Sequence, residues 1–260
     1  MPLYDVIGQE YSSTRVPDLR IVQAIADLLT LPKHSIVADI GAGTGGYSHI
    51  LAQQGFWIYA VEPSSVMQAQ AVPHPHLKWF IGSAENLPLP DNSVDAAVSI
   101  LSMHHFCNLE QSCREIHRVV RDGALVFFTF DIRLSQPLWL NDYFPWLRED
   151  ALRFPPLATI AAKIEACTQR QVETFPFHIP HNLSDMFAAA AWRRPEMYLN
   201  SQVRAGISSF AIVDNEMVQH GVQRLAADLD SGQWDVKYGT IRVLTEIDAG
   251  YRFLRATLTQ

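Results

Sequence analysis

Short apolar runs alternate with helical stretches through the first half of this 260-residue chain. Residues 19–29, LRIVQAIADLL, space Ile21, Ile25 and Leu28 four and three apart, which predicts a helix with one buried stripe. Five segments follow: SIVADI (35–40), WIYAV (57–61), KWFIG (78–82), VDAAVSI (94–100) and ALVFFTF (124–130). They lack polar alternation, as strands covered on both faces do. Between them GYSHILAQQ and SSVMQAQAV read as helices, as does NLEQSCREIHRVVR. In the last, Asn108 and Gln111 resemble a capping box, and Leu109, Cys113, Ile116 and Val120 share a face. Asp122-Gly123 marks a turn. Strand–helix alternation at this interval predicts βαβ units in a mostly parallel sheet with helices on both faces.

After residue 131 the pattern changes. LWLNDYFPWLREDALRFPP (138–156) is aromatic and interrupted by proline, and LATIAAKIEACTQRQ predicts a further covering helix. VETFPFHIP contains Pro176 and so predicts a strand near a sheet edge. Residues 183–231 read as entirely helical, and GYRFLRATL (250–258) as a last strand. The expectation is one α/β domain with a Rossmann-like, seven-stranded sheet. Residues 1–34 would cap it, 35–180 and 236–260 would form its core, and 181–235 would form a helical lid, being too short to bury a core alone.

Composition narrows the function. Hydrophobic residues make up 48% and charged residues 18%, as in a soluble globular protein. Twenty Lys and Arg against 27 Asp and Glu give a formal charge of −7, which argues against a nucleic-acid partner. No apolar run is long enough to span a membrane, and the acidic start MPLYDVIGQEY is unlike a secretory signal, so a cytoplasmic location is expected. Cys107, Cys113 and Cys167 are scattered and odd in number, which suggests reduced packing residues and no metal site.

The run IVADIGAGTGGYSHIL holds Gly41, Gly43 and Gly46 in a G-x-G-x-x-G spacing after a predicted strand. In a dinucleotide fold the diphosphate would lie on the following helix N-terminus, yet Asp39 stands beside that place. Two like charges in a confined site repel, whereas an ammonium and a carboxylate in place of phosphates would suit it. That reasoning favours S-adenosylmethionine. VADIGAGTGGYS resembles the first motif of the class I methyltransferases, and VEPSSVM (61–67) their second. GSAENLPLPDNSVDAAVSILSMHHF (82–106) is similar to the small-molecule branch around the ubiquinone/menaquinone methyltransferases, with Ser83 where that branch often has Asp. The resemblance spans about residues 1–135 and implies a Rossmann-like fold and an S-adenosylmethionine cofactor. It implies cofactor contacts from Asp39, Gly41, Ala42, Gly43 and Gly45, with Glu62 on the ribose hydroxyls, flanked by Pro63 and Met67. Ser83, Ala84 and Glu85 would meet the adenine end, Leu101 would be a further cofactor contact, and Tyr11 and Arg15 would meet the methionine moiety, Arg15 through its carboxylate.

Methyl transfer from a sulfonium requires alignment above all, and a base only where the acceptor must lose a proton. His104 and His105 follow the fourth strand, at the edge where the methyl should lie. Either imidazole could accept a proton or simply shape the pocket; His104, nearer the strand end, is the first candidate. Tyr4, Trp139, Tyr143, Trp192 and Arg193 are candidates for the acceptor pocket, the aromatic ones equally suited to core packing. The expected partner is a small-molecule acceptor. A nicotinamide-dependent oxidoreductase would also account for the glycines and Glu62, but not for Asp39 or the 82–106 block, and the chain has no Tyr-x-x-x-Lys pair. A non-catalytic S-adenosylmethionine-binding protein is the third alternative.

Overall fold

The computed structural model describes residues 14–258, so Tyr4 and Tyr11 lie outside the described residues. Helix α1 (Leu19–Leu29) starts at Asp18, whose carboxylate accepts from the Arg20 backbone N–H, and it buries Ile21, Val22, Ile25 and Leu29. Then follow β1 (Ile36–Ile40), α2 (Gly46–Gln53), β2 (Trp57–Glu62), the single turn α3 (Ser65–Gln68) and β3 (Leu77–Ile81). Next come β4 (Ala96–Ile100), α4 (Leu109–Val119) and β5 (Leu125–Phe130). The predicted strands and helices of this half match the structure to within two residues at nearly every end; the SSVMQAQAV helix shrinks to one turn. Asn108 caps α4 by accepting from the Gln111 N–H, but the Asn108 N–H is met by Glu85, not by Gln111, so only half of the expected box forms.

The second half begins with short helices α5 (Leu140–Tyr143) and α6 (Trp146–Arg153), then α7 (Leu157–Thr168) and β6 (Arg170–Pro176). A two-residue ribbon pairs β7 (Ile179–Pro180) with β8 (Glu246–Ile247) and ties together the ends of the excursion between them. That excursion carries α8 (Ser201–Ala205), α9 (Ser208–Ala211), α10 (Asn215–Asp230) and α11 (Gln233–Tyr238). The expectation of continuous helix from residue 183 is corrected: 184–194 is a series of turns, because the Asp18 and Arg15 side chains and the Thr14 carbonyl engage its polar groups where a helix ladder would otherwise run. The chain ends on β9 (Tyr251–Leu258).

The sheet order is β3-β2-β1-β4-β5-β9-β6, with β9 antiparallel to both neighbours and β6 at the edge, as Pro176 predicts. Alternate strand residues feed two cores. Val37, Val98, Val126 and Phe128 pack under α1 and α2, whereas Ala38, Ile40, Leu125 and Phe127 pack under α4 and α7. Strand order reverses between β1 and β4, so the crevice that such a sheet offers a ligand opens at their carboxyl ends.

Candidate active site

The turn after β1 starts the site. Gly41 has φ +74°, and a Cβ there would lie 2.6 Å from the Ser102 Cβ, so only glycine lets the turn close against the end of β4. Ser102 is itself fixed: its hydroxyl donates to the Ile40 carbonyl at 2.8 Å and bonds the Ser99 hydroxyl. Gly45 also has positive φ, but its missing Cβ makes room for Trp79, and it is not on the cavity wall; the expected cofactor contact from Gly45 is corrected to a packing role.

A cavity of about 590 Å³ opens beyond this turn. It is lined by Asp39, Gly41, Ala42, Gly43, Glu62, Pro63, Met67, Ser83, Ala84, Glu85, Leu101 and Arg15, all expected from the sequence. Asp39 is buried and accepts from the Ser48 hydroxyl through Oδ2, whereas Oδ1 has no hydrogen-bond partner among the described residues. Burial pushes its pKa up to about 6; the Ser48 hydrogen bond opposes this and the nearby Glu62 charge adds to it. Glu62 accepts from the Gly43 N–H at Oε2 and the Ser64 N–H at Oε1, both at 2.9 Å, so its carboxylate is aimed before any ligand arrives.

Glu85, also on the wall, accepts through Oε1 from the Cys107 and Asn108 N–H groups and the Ser112 hydroxyl. Burial would raise the Glu85 pKa, but backbone N–H donors and the Ser83 hydroxyl outweigh it and hold the group below the usual carboxylate range. Glu85 therefore fastens the start of α4 as well as walling the cavity.

A second cavity of about 750 Å³ adjoins the first, and Arg15, Leu101, His105, Phe106 and Cys107 line both. Its wall is mainly apolar, from Met103, Phe130, Leu138, Leu147, Phe154, Phe187, Ile207 and Tyr251 among others. Leu101 has φ +50°, a strained conformation for a leucine, at the point where the cavities meet. Met103–His105 forms a tight helical turn next to it. His105 is exposed to these cavities and faces both; burial among surrounding protein pushes its pKa down to about 4, with Asp150 opposing and Arg15 adding. His104 lines only the larger cavity, packs edge-on to Phe130 at 5.2 Å, and burial holds its pKa well below 6.5. The preference for His104 over His105 is thus reversed by position.

The other acceptor-pocket candidates are corrected. Trp139 and Trp192 are buried, Trp139 donating to the Trp192 carbonyl and Trp192 to the Ile179 carbonyl. The Tyr143 hydroxyl donates to Asp228, and Arg193 to the Leu244 carbonyl. None of the four lines either cavity; their hydrogen bonds tie the helical excursion to β7, to the α5 region and within itself. Cys107 is exposed, contrary to the packing role expected of it. Sequence reading missed Tyr47, Ser102 and Asp185 in the smaller cavity. Asp185 accepts from Arg15 through Nε and Nη2, 170 residues away, a pairing with no local signal. Among the described residues no helix is long and apolar enough to cross a membrane, and no cluster of three His, Cys, Asp or Glu could hold a metal ion.

A methyltransferase domain model matches residues 38–128, the stretch that supplies most of the smaller cavity's wall. A solved putative methyltransferase from an antibiotic biosynthesis pathway of Anabaena variabilis is 60% identical, with a TM-score of 0.93, covering 94% of this chain and 99% of that one. The chain belongs to the class I S-adenosylmethionine-dependent methyltransferases. It is also 34% identical over 114 residues to the ubiquinone/menaquinone biosynthesis C-methyltransferase UbiE of Rubrivivax gelatinosus, a match that spans 43% of this chain and 42% of that relative. Phosphoethanolamine N-methyltransferase 2 of Haemonchus contortus, solved with S-adenosyl-L-methionine, shares the fold at a TM-score of 0.60 and 16% identity over 96% of this chain and 56% of that one.

Proposed function

We propose that this methyltransferase binds S-adenosylmethionine in the smaller cavity and methylates a small, largely apolar acceptor held in the larger one. The carrying observation is the charge of the smaller cavity. Among the described residues Asp39, Glu62, Glu85 and Asp185 line it, and Arg15, ion-paired with Asp185, is the one Lys or Arg on its wall. A dinucleotide diphosphate would meet this acidic wall unfavourably, whereas a ligand carrying a sulfonium and an ammonium suits it. The unpartnered Asp39 Oδ1 can accept, directly or through water, from such an ammonium. Glu62 stands on the cavity wall with its carboxylate aimed by the Gly43 and Ser64 N–H groups, placed to accept from ribose hydroxyls, and Ser83–Glu85 bound the adenine end.

Bound there, S-adenosylmethionine supplies an electrophilic methyl on a sulfur that leaves as a neutral thioether. The protein's task is positioning. Leu101 and His105, shared by both cavities, mark where the acceptor atom and the methyl would face each other. The His105 imidazole is neutral at physiological pH, so it can accept a hydrogen bond from an acceptor hydroxyl and take its proton as the O–H bond breaks. The charged side chains of the larger cavity are in pairs, Lys163 with Glu110 at 2.7 Å and Arg153 with Asp150 at 3.7 Å, which favours an uncharged acceptor.

Calorimetric titration with S-adenosylhomocysteine and with NADH tests the reading. Micromolar binding of the first and none of the second is expected; the reverse result would remove it.

A further inference from the structure

We infer that Asp185 is a positioning residue for the amino-acid end of the cofactor, acting through Arg15 and Tyr47. The inference rests on the proposed cofactor site but adds a residue outside every motif of the first 135 positions. Asp185 is 1% exposed and lies in the turns after β7, where no regular element requires a carboxylate. Its carboxylate receives Arg15 Nε at Oδ1, and Arg15 Nη2 at 3.3 Å and the Tyr47 hydroxyl at 2.9 Å at Oδ2. A buried charge in a loop is costly unless paired in this way, and replacing such a pair by apolar groups is often neutral for stability. Arg15, Tyr47 and Asp185 all line the smaller cavity, which places the pair where it can serve binding.

The cavity wall includes Ser83–Glu85, Glu62, Asp39 and the Gly41 turn, and Arg15, Tyr47 and Asp185 stand on the same wall. An adenosyl ligand anchored by its ribose at Glu62 would present its amino-acid end to that last group. Arg15 also lines the larger cavity, and its Nη1 donates to the Gly206 carbonyl there at 3.2 Å. Held by Asp185 on one edge and Gly206 on another, the guanidinium plane is fixed for a carboxylate. Tyr47 comes from the first turn of α2, so the same carboxylate ties the glycine-rich turn to the segment that precedes α1. The pairing is reinforced by its surroundings: Arg15 and Asp185 form a backbone bridge, Met186 N–H donates to the Thr14 carbonyl, and Ser184 donates to Asp18.

The test compares two ligands. S-adenosylhomocysteine carries the amino-acid end, and 5′-deoxy-5′-methylthioadenosine keeps the adenosine and thioether without it. In Asp185→Asn, calorimetry should show S-adenosylhomocysteine affinity falling roughly 10- to 100-fold, with methylthioadenosine affinity within about twofold of the parent. Asp185→Glu should recover part of the loss. Tyr47→Phe, which removes one donor and no charge, is the milder variant and should show the same selectivity at roughly threefold to tenfold. Equal losses for both ligands, or no loss for either, would overturn the positioning role and leave the cofactor site standing. A parent protein that binds neither ligand would overturn the cofactor site itself, and this inference with it.

Discussion

The two adjoining cavities differ in how they are made. Most of the smaller one comes from residues 39–107, on the turns that follow β1, β2, β3 and β4. Among the described residues four carboxylates face it, and each of Asp39, Glu62 and Glu85 is held by donors from the first 108 residues. The larger one draws its wall from residues 15 to 251, through short helices and turns that meet only after the chain folds. Its surface is mainly apolar, and Lys163 and Arg153 on it are paired with Glu110 and Asp150. The first kind of site is specified locally and suits one ligand chemistry; the second can change shape with few substitutions while the sheet stays the same.

Removing the Glu62 charge should break the smaller cavity most completely. Glu62→Gln loses the ionised acceptor for two backbone donors and for the ribose, and S-adenosylhomocysteine affinity should fall by about 100-fold or more in calorimetry. Gly41→Ala tests the turn that shapes the cavity. A Cβ at φ +74° and 2.6 Å from Ser102 should lower unfolding stability by about 2 kcal/mol, read by denaturant titration, with cofactor affinity falling too. Ala188→Leu places bulk in the larger cavity alone and should raise the acceptor KM roughly tenfold while leaving cofactor affinity unchanged. Arg193→Ala, away from both cavities, should leave both constants within about twofold.

Acidification separates the cavities by a smaller effect. The Asp39 pKa is raised on folding from 3.8 to about 6, so the folded chain holds that proton more tightly than the unfolded chain. Ionised Asp39 therefore costs stability above pH 6, and its contribution improves as the pH falls from 6 toward 4. Cofactor binding runs the other way, because it uses the ionised form: affinity should drop by up to about tenfold between pH 7 and pH 5. His105, with a pKa of about 4, stays neutral over that range, so kcat at saturating cofactor should change little. A kcat that falls with a midpoint near 6.5 would point instead to an unperturbed histidine base.

The same contrast explains what the sequence revealed. Asp39, the Gly41 turn, Glu62 and Ser83–Glu85 were legible because each sits a fixed few residues from the strand end that places it. The edge position of β6 was legible from Pro176, since proline lacks a ladder donor. Asp185 was not, because only the 170-residue closure to Arg15 gives it a role. Nor was the fate of Trp139, Tyr143, Trp192 and Arg193: an aromatic or cationic run after the last motif suits a pocket wall and a packed core equally until tertiary contacts decide. The turns at 184–194 escaped for a related reason. Their apolar run MFAAAAW favours helix locally, while hydrogen bonds to the 14–18 segment hold the start of the stretch in turns.

A crystal structure with S-adenosylhomocysteine bound tests the central claim most directly. The account predicts both ribose hydroxyls on the Glu62 carboxylate and the sulfur at the Leu101–His105 boundary, pointing into the larger cavity. A ligand whose sulfur faces away from that boundary, or a ribose that leaves Glu62 untouched, would contradict it.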